Sequence, residues 1–167
     1  MPIPQIVLTL LFIVLLSSCT TAPKLDTAGV DQTITPAFPI KEMLAVQGRR
    51  VQWGGSIIAS TNLRDMTQIE VLGYPLEQSG KPDTNQADLG RFLVLYDGSL
   101  ETFDYAPGRL LTVVGPIVEV REGTVGRSDY RYPVIAAEQL YLWPREEERP
   151  YYREPRFHIG IGVGIGL

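Results

Sequence analysis

Between residues 40 and 143 no run of helical spacing extends beyond two turns, which restricts this stretch to folds built from short strands. Residues 42–46 can hold a single helical turn at most. Segments 50–60, 68–74, 91–96, 110–121 and 134–143 are rich in β-branched and aromatic residues and read as strands. Turn chemistry separates them: residues 63–65, Ser79-Gly80-Lys81-Pro82, Asp97-Gly98, Ala106-Pro107-Gly108 and Glu122-Gly123. With 44% hydrophobic and 20% charged residues, the chain has the balance needed to fill one core.

An internal echo narrows the architecture. The stretch Gly48-Arg49-Arg50-Val51-Gln52-Trp53-Gly54-Gly55-Ser56-Ile57 aligns with Gly108-Arg109-Leu110-Leu111-Thr112-Val113-Val114-Gly115-Pro116-Ile117, sixty residues further on. In each copy a turn glycine opens a strand and a second glycine interrupts it. A glycine inside a strand lets it bend at a barrel corner, and Pro116, which has no N–H to donate, belongs at an edge or bulge. Two kinked strands among five predict an all-β domain over residues 40–144, a small five-stranded OB-like barrel. The competing reading is two unrelated strands with chance glycines.

The N-terminus has a different character. Residues 6–16, IVLTLLFIVLL, form an apolar run of eleven. As a helix it would span about 16 Å, half of a bilayer core, which suits the apolar region of a signal peptide. Two small residues then lead to the only cysteine. Leu16-Ser17-Ser18-Cys19 has the order of a lipobox: small residues expose the scissile bond, and the thiol takes a diacylglycerol. Acylation of the amino group freed by cleavage completes an anchor whose several chains hold nearly irreversibly. The reading is therefore a signal peptide over residues 1–18 and lipidation at Cys19. An uncleaved anchor or an ordinary buried cysteine is the alternative. Thr20 follows the cysteine, rather than an Asp that would direct inner-membrane retention, so outer-membrane residence on the periplasmic face is expected. Residues 19–39 read as a flexible lipidated tether; fully extended, about 65 Å of chain separates the anchor from the domain.

Residues 145–167 combine a Pro-rich charged linker with the alternating tail Ile159-Gly160-Ile161-Gly162-Val163-Gly164-Ile165-Gly166-Leu167. As a strand, the tail places branched side chains on one face and bare backbone on the other. It reads either as a frayed terminus or as a strand that pairs with a sheet edge of this chain or of an envelope protein partner. Insertion into lipid as a lone strand is disfavoured, because its backbone groups would lack partners.

Little here points to catalysis. The formal net charge of −4 argues against nucleic acid as a partner. The sole histidine, His158, lies in the tail, so neither a zinc site nor a Ser-His-Asp arrangement has its parts. No metal or cofactor is expected, and the chain is read as a non-enzyme. Asp83 and Asp88, and the group Asp97, Glu101 and Asp104, are read as solvated turn formers. A carboxylate-only hydrolase is the weakest reading. The aromatic residues Trp53, Tyr74, Phe92, Tyr96, Tyr130, Tyr132, Tyr141 and Trp143 fall in or near strands. Core packing accounts for most such rings. The alternative is a ligand face of Trp53, Tyr132 and Trp143 that stacks a glycan, peptide or hydrophobic metabolite, making the chain a periplasmic ligand-binding module.

Blocks spread over residues 40–144 resemble the starvation-inducible outer-membrane lipoprotein family. They are Val51-Gln52-Trp53-Gly54-Gly55-Ser56-Ile57, Thr67-Gln68-Ile69-Glu70-Val71-Leu72-Gly73-Tyr74-Pro75-Leu76, Gly90-Arg91-Phe92, Pro107-Gly108-Arg109-Leu110-Leu111-Thr112-Val113-Val114-Gly115, Tyr130-Arg131-Tyr132-Pro133-Val134 and Leu140-Tyr141-Leu142-Trp143-Pro144. The resemblance implies an anchored envelope component linked to starvation or stress, with no catalytic residue or cofactor.

Overall fold

The computed structural model describes residues 25–145. Strands β1 (Arg50–Asn62), β2 (Met66–Tyr74), β3 (Arg91–Asp97), β4 (Leu110–Val125), β5 (Ser128–Ala136) and β6 (Gln139–Leu142) follow one helical turn α1 (Ile40–Met43) and a 3₁₀ turn at Leu44–Val46. The sheet order is β1-β2-β3-β5-β4-β6, and an added β1–β4 pairing joins five of the strands into a ring. Every pairing is antiparallel except β3–β5, which aligns Leu93 with Val134 in parallel. The all-β, OB-like expectation therefore holds, with one strand more than predicted. The single segment expected at residues 134–143 is two strands: β5 pairs β3 and β4, and after Ala137 and Glu138 the chain resumes as β6 beside β4.

The echoed sequences are β1 and the matching part of β4, and they pair with each other about a local twofold. Arg50 faces Pro116 and Ser56 faces Leu110, so a shift of sixty residues exchanges the two pairs and leaves Trp53–Val113 in place. The closing hydrogen bonds obey the same exchange: Gly48 N donates to Ile117 O, and Gly108 N to Ile57 O, each at 2.8 Å. So do the irregularities, which fall between Ile57 and Ala59 and between Ile117 and Glu119. At Gly54, Gly55 and Ser56, β1 pairs with β2 and β4 at once, and the strand must turn the corner there. A Cβ on Gly55 would lie 2.0 Å from the Leu72 carbonyl oxygen, and one on Gly115 would lie 1.9 Å from that of Ala136. No side chain fits either corner. Gly48 and Gly108 serve differently, adopting φ of 80° and 85° in the turns that open each copy.

The turn expected at Glu122-Gly123 lies inside β4, and the β4–β5 hairpin closes at Gly126 (φ 61°). The Tyr132 ring packs over Gly123, close to where a Cβ would stand, so that glycine makes room for an aromatic ring instead of a turn.

Alternation along the strands sends Val51, Trp53, Ile57, Ile69, Val71, Phe92, Val94, Leu111, Val113 and Ile117 into one core. Met43 of α1 joins it. Trp53 meets Phe92 edge to face at 5.3 Å. Outside the ring, the β2–β3 loop is held against β4 by a relay: Trp143 Nε1 donates to Thr112 Oγ1 at 2.9 Å, and that hydroxyl donates to the Gly80 carbonyl at 2.7 Å. Thr112→Val keeps the shape and strands both partners in a dry site, so it is expected to lower stability by about 1–3 kcal/mol in chemical denaturation. A loss below about 0.5 kcal/mol would show that water replaces the relay.

Candidate functional site

The candidate site is the junction between the domain and the segment that precedes it in sequence, which contains Cys19. Cys19 itself lies outside the described residues, as do His158 and the alternating tail. Residues 26–39 do not form a free tether. Their sequence, DTAGVDQTITPAFP, is polar enough to read as linker, yet two kinds of contact dock it.

The first is hydrogen bonding to the start of β1 and of β6. Asp26 N donates to Gln139 Oε1 at 2.8 Å, and Gln139 Nε2 donates back to Asp26 O at 3.2 Å. The Arg50 guanidinium donates to Ala28 O and, through Nε, to Glu138 Oε2 at 2.6 Å. Asp31 N bonds Arg50 O at 2.8 Å, while the Asp31 carboxylate pairs with Arg49 at 2.5 Å. The second is burial. Ile34 and Pro36 are buried, Trp53 Nε1 donates to Ile34 O at 2.7 Å, and Pro36 packs on Gly73. The tether expected over residues 19–39 is therefore corrected: from Asp26 onward the chain is a strap that belongs to the domain. Ile34 and Phe38, apolar residues in a polar run, were the signal that sequence reading passed over.

Asp31 shows how the strap is held. The Thr33 hydroxyl and amide, donating at 2.6 and 3.0 Å, together with Arg49, keep its carboxyl below the ordinary carboxylate range. A depressed carboxylate contributes stability above its unfolded pKa and loses it as pH falls through the folded value. Asp31→Asn is thus expected to be less stable than the natural chain at neutral pH. The gap closes as pH drops below about 4, read as the difference between the two denaturation midpoints against pH.

The proposed aromatic face does not form. Trp53, Tyr132 and Trp143 are 3%, 6% and 9% exposed, respectively. Trp53 fills the core. Trp143 covers β4 and meets Tyr141 edge to face at 4.8 Å. Tyr132 belongs to a satellite cluster with Leu93 and Val134 on the outside of the ring. Its hydroxyl meets Glu70 Oε1 at 3.2 Å and the Thr124 carbonyl at 3.1 Å, and Glu70 also accepts from Arg91 at 2.8 Å. Burial, followed by the adjacent Glu70 carboxylate, pushes Tyr132 ionisation up and keeps that hydroxyl a donor. These rings are occupied by protein partners. They leave no face for a base or sugar to stack on.

Of the loop acids, Asp83 and Asp88 are turn formers. Asp83 accepts from Asn85 N at 3.1 Å and Gln86 Nε2 at 2.8 Å, and Asp88 accepts from Gly90 N at 3.1 Å. Among the described residues no three His, Cys, Asp or Glu side chains converge in the manner of a metal site.

The junction that starts at Cys19 and runs into a strap on a six-stranded sheet can be compared with known proteins. The family model of the outer membrane lipoprotein Slp family matches residues 16–162, beginning at the first residue of Leu16-Ser17-Ser18-Cys19. The chain belongs to the Slp family. It is an outer membrane lipoprotein of the cell envelope by that membership. Among curated relatives, this Slp-family chain is 27% identical to the uncharacterized lipoprotein YeaY of Escherichia coli (strain K12) over 161 residues, covering 93% of this chain and 82% of the relative. It is 34% identical to an uncharacterized protein of Haemophilus influenzae over 96 residues, which span 57% of this chain and 52% of that protein. Among solved structures it is similar to Schizosaccharomyces pombe Pot1pC bound to ssDNA, at 9% identity and a TM-score of 0.32, covering 72% of this chain and 88% of that one. A likeness that low carries no functional argument.

Proposed function

We propose that the Slp-family chain is held on the periplasmic face of the outer membrane by acyl chains on Cys19, and that it acts there as a non-enzymatic envelope component in starvation or stress. The observation that carries the reading is the order of residues 6–19. An apolar run too short to span a bilayer is followed by two small residues and the chain's only thiol. The family supports the compartment. Burial of Trp53, Tyr132 and Trp143 removes the basis of the rival ligand-binding reading. The role left to the domain is contact with other envelope material, including the proposed pairing of residues 157–167 with a sheet edge of a partner.

Cell fractionation tests the proposal. The natural chain is expected in the outer membrane fraction, and Cys19→Ala in the soluble or inner-membrane fraction. Equal outer-membrane recovery of both would refute the anchor. For the stress role, chain abundance is expected to rise on nutrient exhaustion, and a strain lacking the chain is expected to lose envelope integrity in stationary phase but not in growth. Deletion of residues 157–167 is expected to leave localisation intact and abolish crosslinks to envelope proteins.

A further inference from the structure

Docking of the strap changes how far the domain can stand from the lipid. Between Cys19 and Leu25, the first described residue, there are six Cα–Cα steps, a reach of about 20 Å even when fully extended. The flexible tether expected from the sequence would have allowed roughly three times that. A leash of that length keeps the start of the strap within about 20 Å of the lipid.

The end of the domain at the start of the strap carries an unpartnered apolar surface. Asp26, Ala28 and Asp31 gather at Arg49 and Arg50, the beginning of β1. Next to them, Gln47 Nε2 donates to Val118 O at 2.9 Å, and Gly48 N to Ile117 O at 2.8 Å. Leu44 and Val118, 58% and 40% exposed, stand at this junction. Ile40, Leu44 and Val120, with Lys41, Glu122 and Arg131, line a groove of about 280 Å³ between α1 and the β4–β5 hairpin. The nearby charges are largely matched: Arg49 pairs with Asp31, and Arg131 with Glu122 at 3.0 Å. Attraction to anionic headgroups is therefore weak, and immersion of apolar side chains at the headgroup boundary is what the surface offers.

The geometry points to the end of the domain bearing Ile40, Leu44 and Val118 as a membrane-docking face, seated on the leaflet that holds the Cys19 lipid. This rests on the anchor proposed above. Docking makes the chain a fixed, close-lying module on the leaflet, with the β1–β2 turn and the β3–β4 loop directed away from it.

The test uses the mature acylated chain in vesicles of phosphatidylethanolamine and phosphatidylglycerol, with an environment-sensitive fluorophore on Leu44→Cys, Val118→Cys or, at the far end of β1, Leu63→Cys. Spin-labelled lipids are expected to quench the labels at positions 44 and 118 several-fold more than the label at position 63, without change in high salt. Equal quenching at all three positions would overturn docking. So would labels at 44 and 118 shielded from both lipid and aqueous quenchers, because a protein segment would then cover the groove. The unsubstituted chain separates this failure from loss of the anchor. With Cys19 acylated it takes up no fluorophore, whereas a labelled Cys19 would refute the lipid attachment itself.

Discussion

Alanine at Gly55 or Gly115 is expected to destabilise the domain by about 3–4 kcal/mol each, a large part of the 5–15 kcal/mol that holds a typical domain folded. Neither glycine has a positive φ, so backbone conformation is not the reason. The obstacle is space. The added methyl would sit 2.0 Å from Leu72 O at one corner and 1.9 Å from Ala136 O at the other, and both obstacles are ladder carbonyls that cannot move without opening the ring. The β1–β2 and β4–β5 pairings would have to slide apart at the points where β1 and β4 bend. Gly108→Ala supplies the control. Its site has φ 85° and open space, so only the left-handed conformation opposes a side chain there, at about 1–2 kcal/mol. Urea denaturation with unchanged m-values measures all three. Gly115→Ala as mild as Gly108→Ala would contradict the corner assignment.

The second large effect concerns the strap. Ile34→Ala is expected to cost about 2–4 kcal/mol, because the side chain is buried against the core beside Trp53 and its removal leaves a cavity. Trp53→Ala is expected to cost more, about 3–5 kcal/mol, since it also orphans the Ile34 carbonyl that Trp53 Nε1 satisfies at 2.7 Å. The same Ile34→Ala change in a free linker would alter stability by less than about 0.5 kcal/mol. Thermal or urea unfolding thus separates strap from tether with one substitution. A null result at Ile34 would restore the longer tether and remove the ground for membrane docking.

The ring was legible in the sequence because its constraints are local. Gly55 and Gly115 interrupt strand-like segments at matched positions, and a glycine inside a strand marks a place where it can bend. The echo around them announced two equivalent strands, although not that they would pair with each other about Trp53–Val113. What escaped was contact between segments far apart in the chain. Nothing near Asp26, Ala28 or Asp31 signals that Gln139, Arg50 and Arg49 will hold them, since those partners arrive only through folding. Trp53, Tyr132 and Trp143 illustrate the same limit. Their alternation along strands was readable, but whether each ring faces core, loop or solvent depended on the strap, the β4–β5 hairpin and the β2–β3 loop that cover them. The break at Ala137 and Glu138 was likewise invisible, because residues 134–143 contain no Gly, Pro, Asn or Asp to mark a turn.

The proposed acylation of Cys19 is tested most directly by intact-mass analysis of the chain extracted from the outer membrane. The expected mass is that of residues 19–167 with a diacylglycerol on sulfur and a fatty acyl group on the amino terminus. A mass equal to the uncleaved chain, or to the cleaved chain with a free thiol, would contradict it.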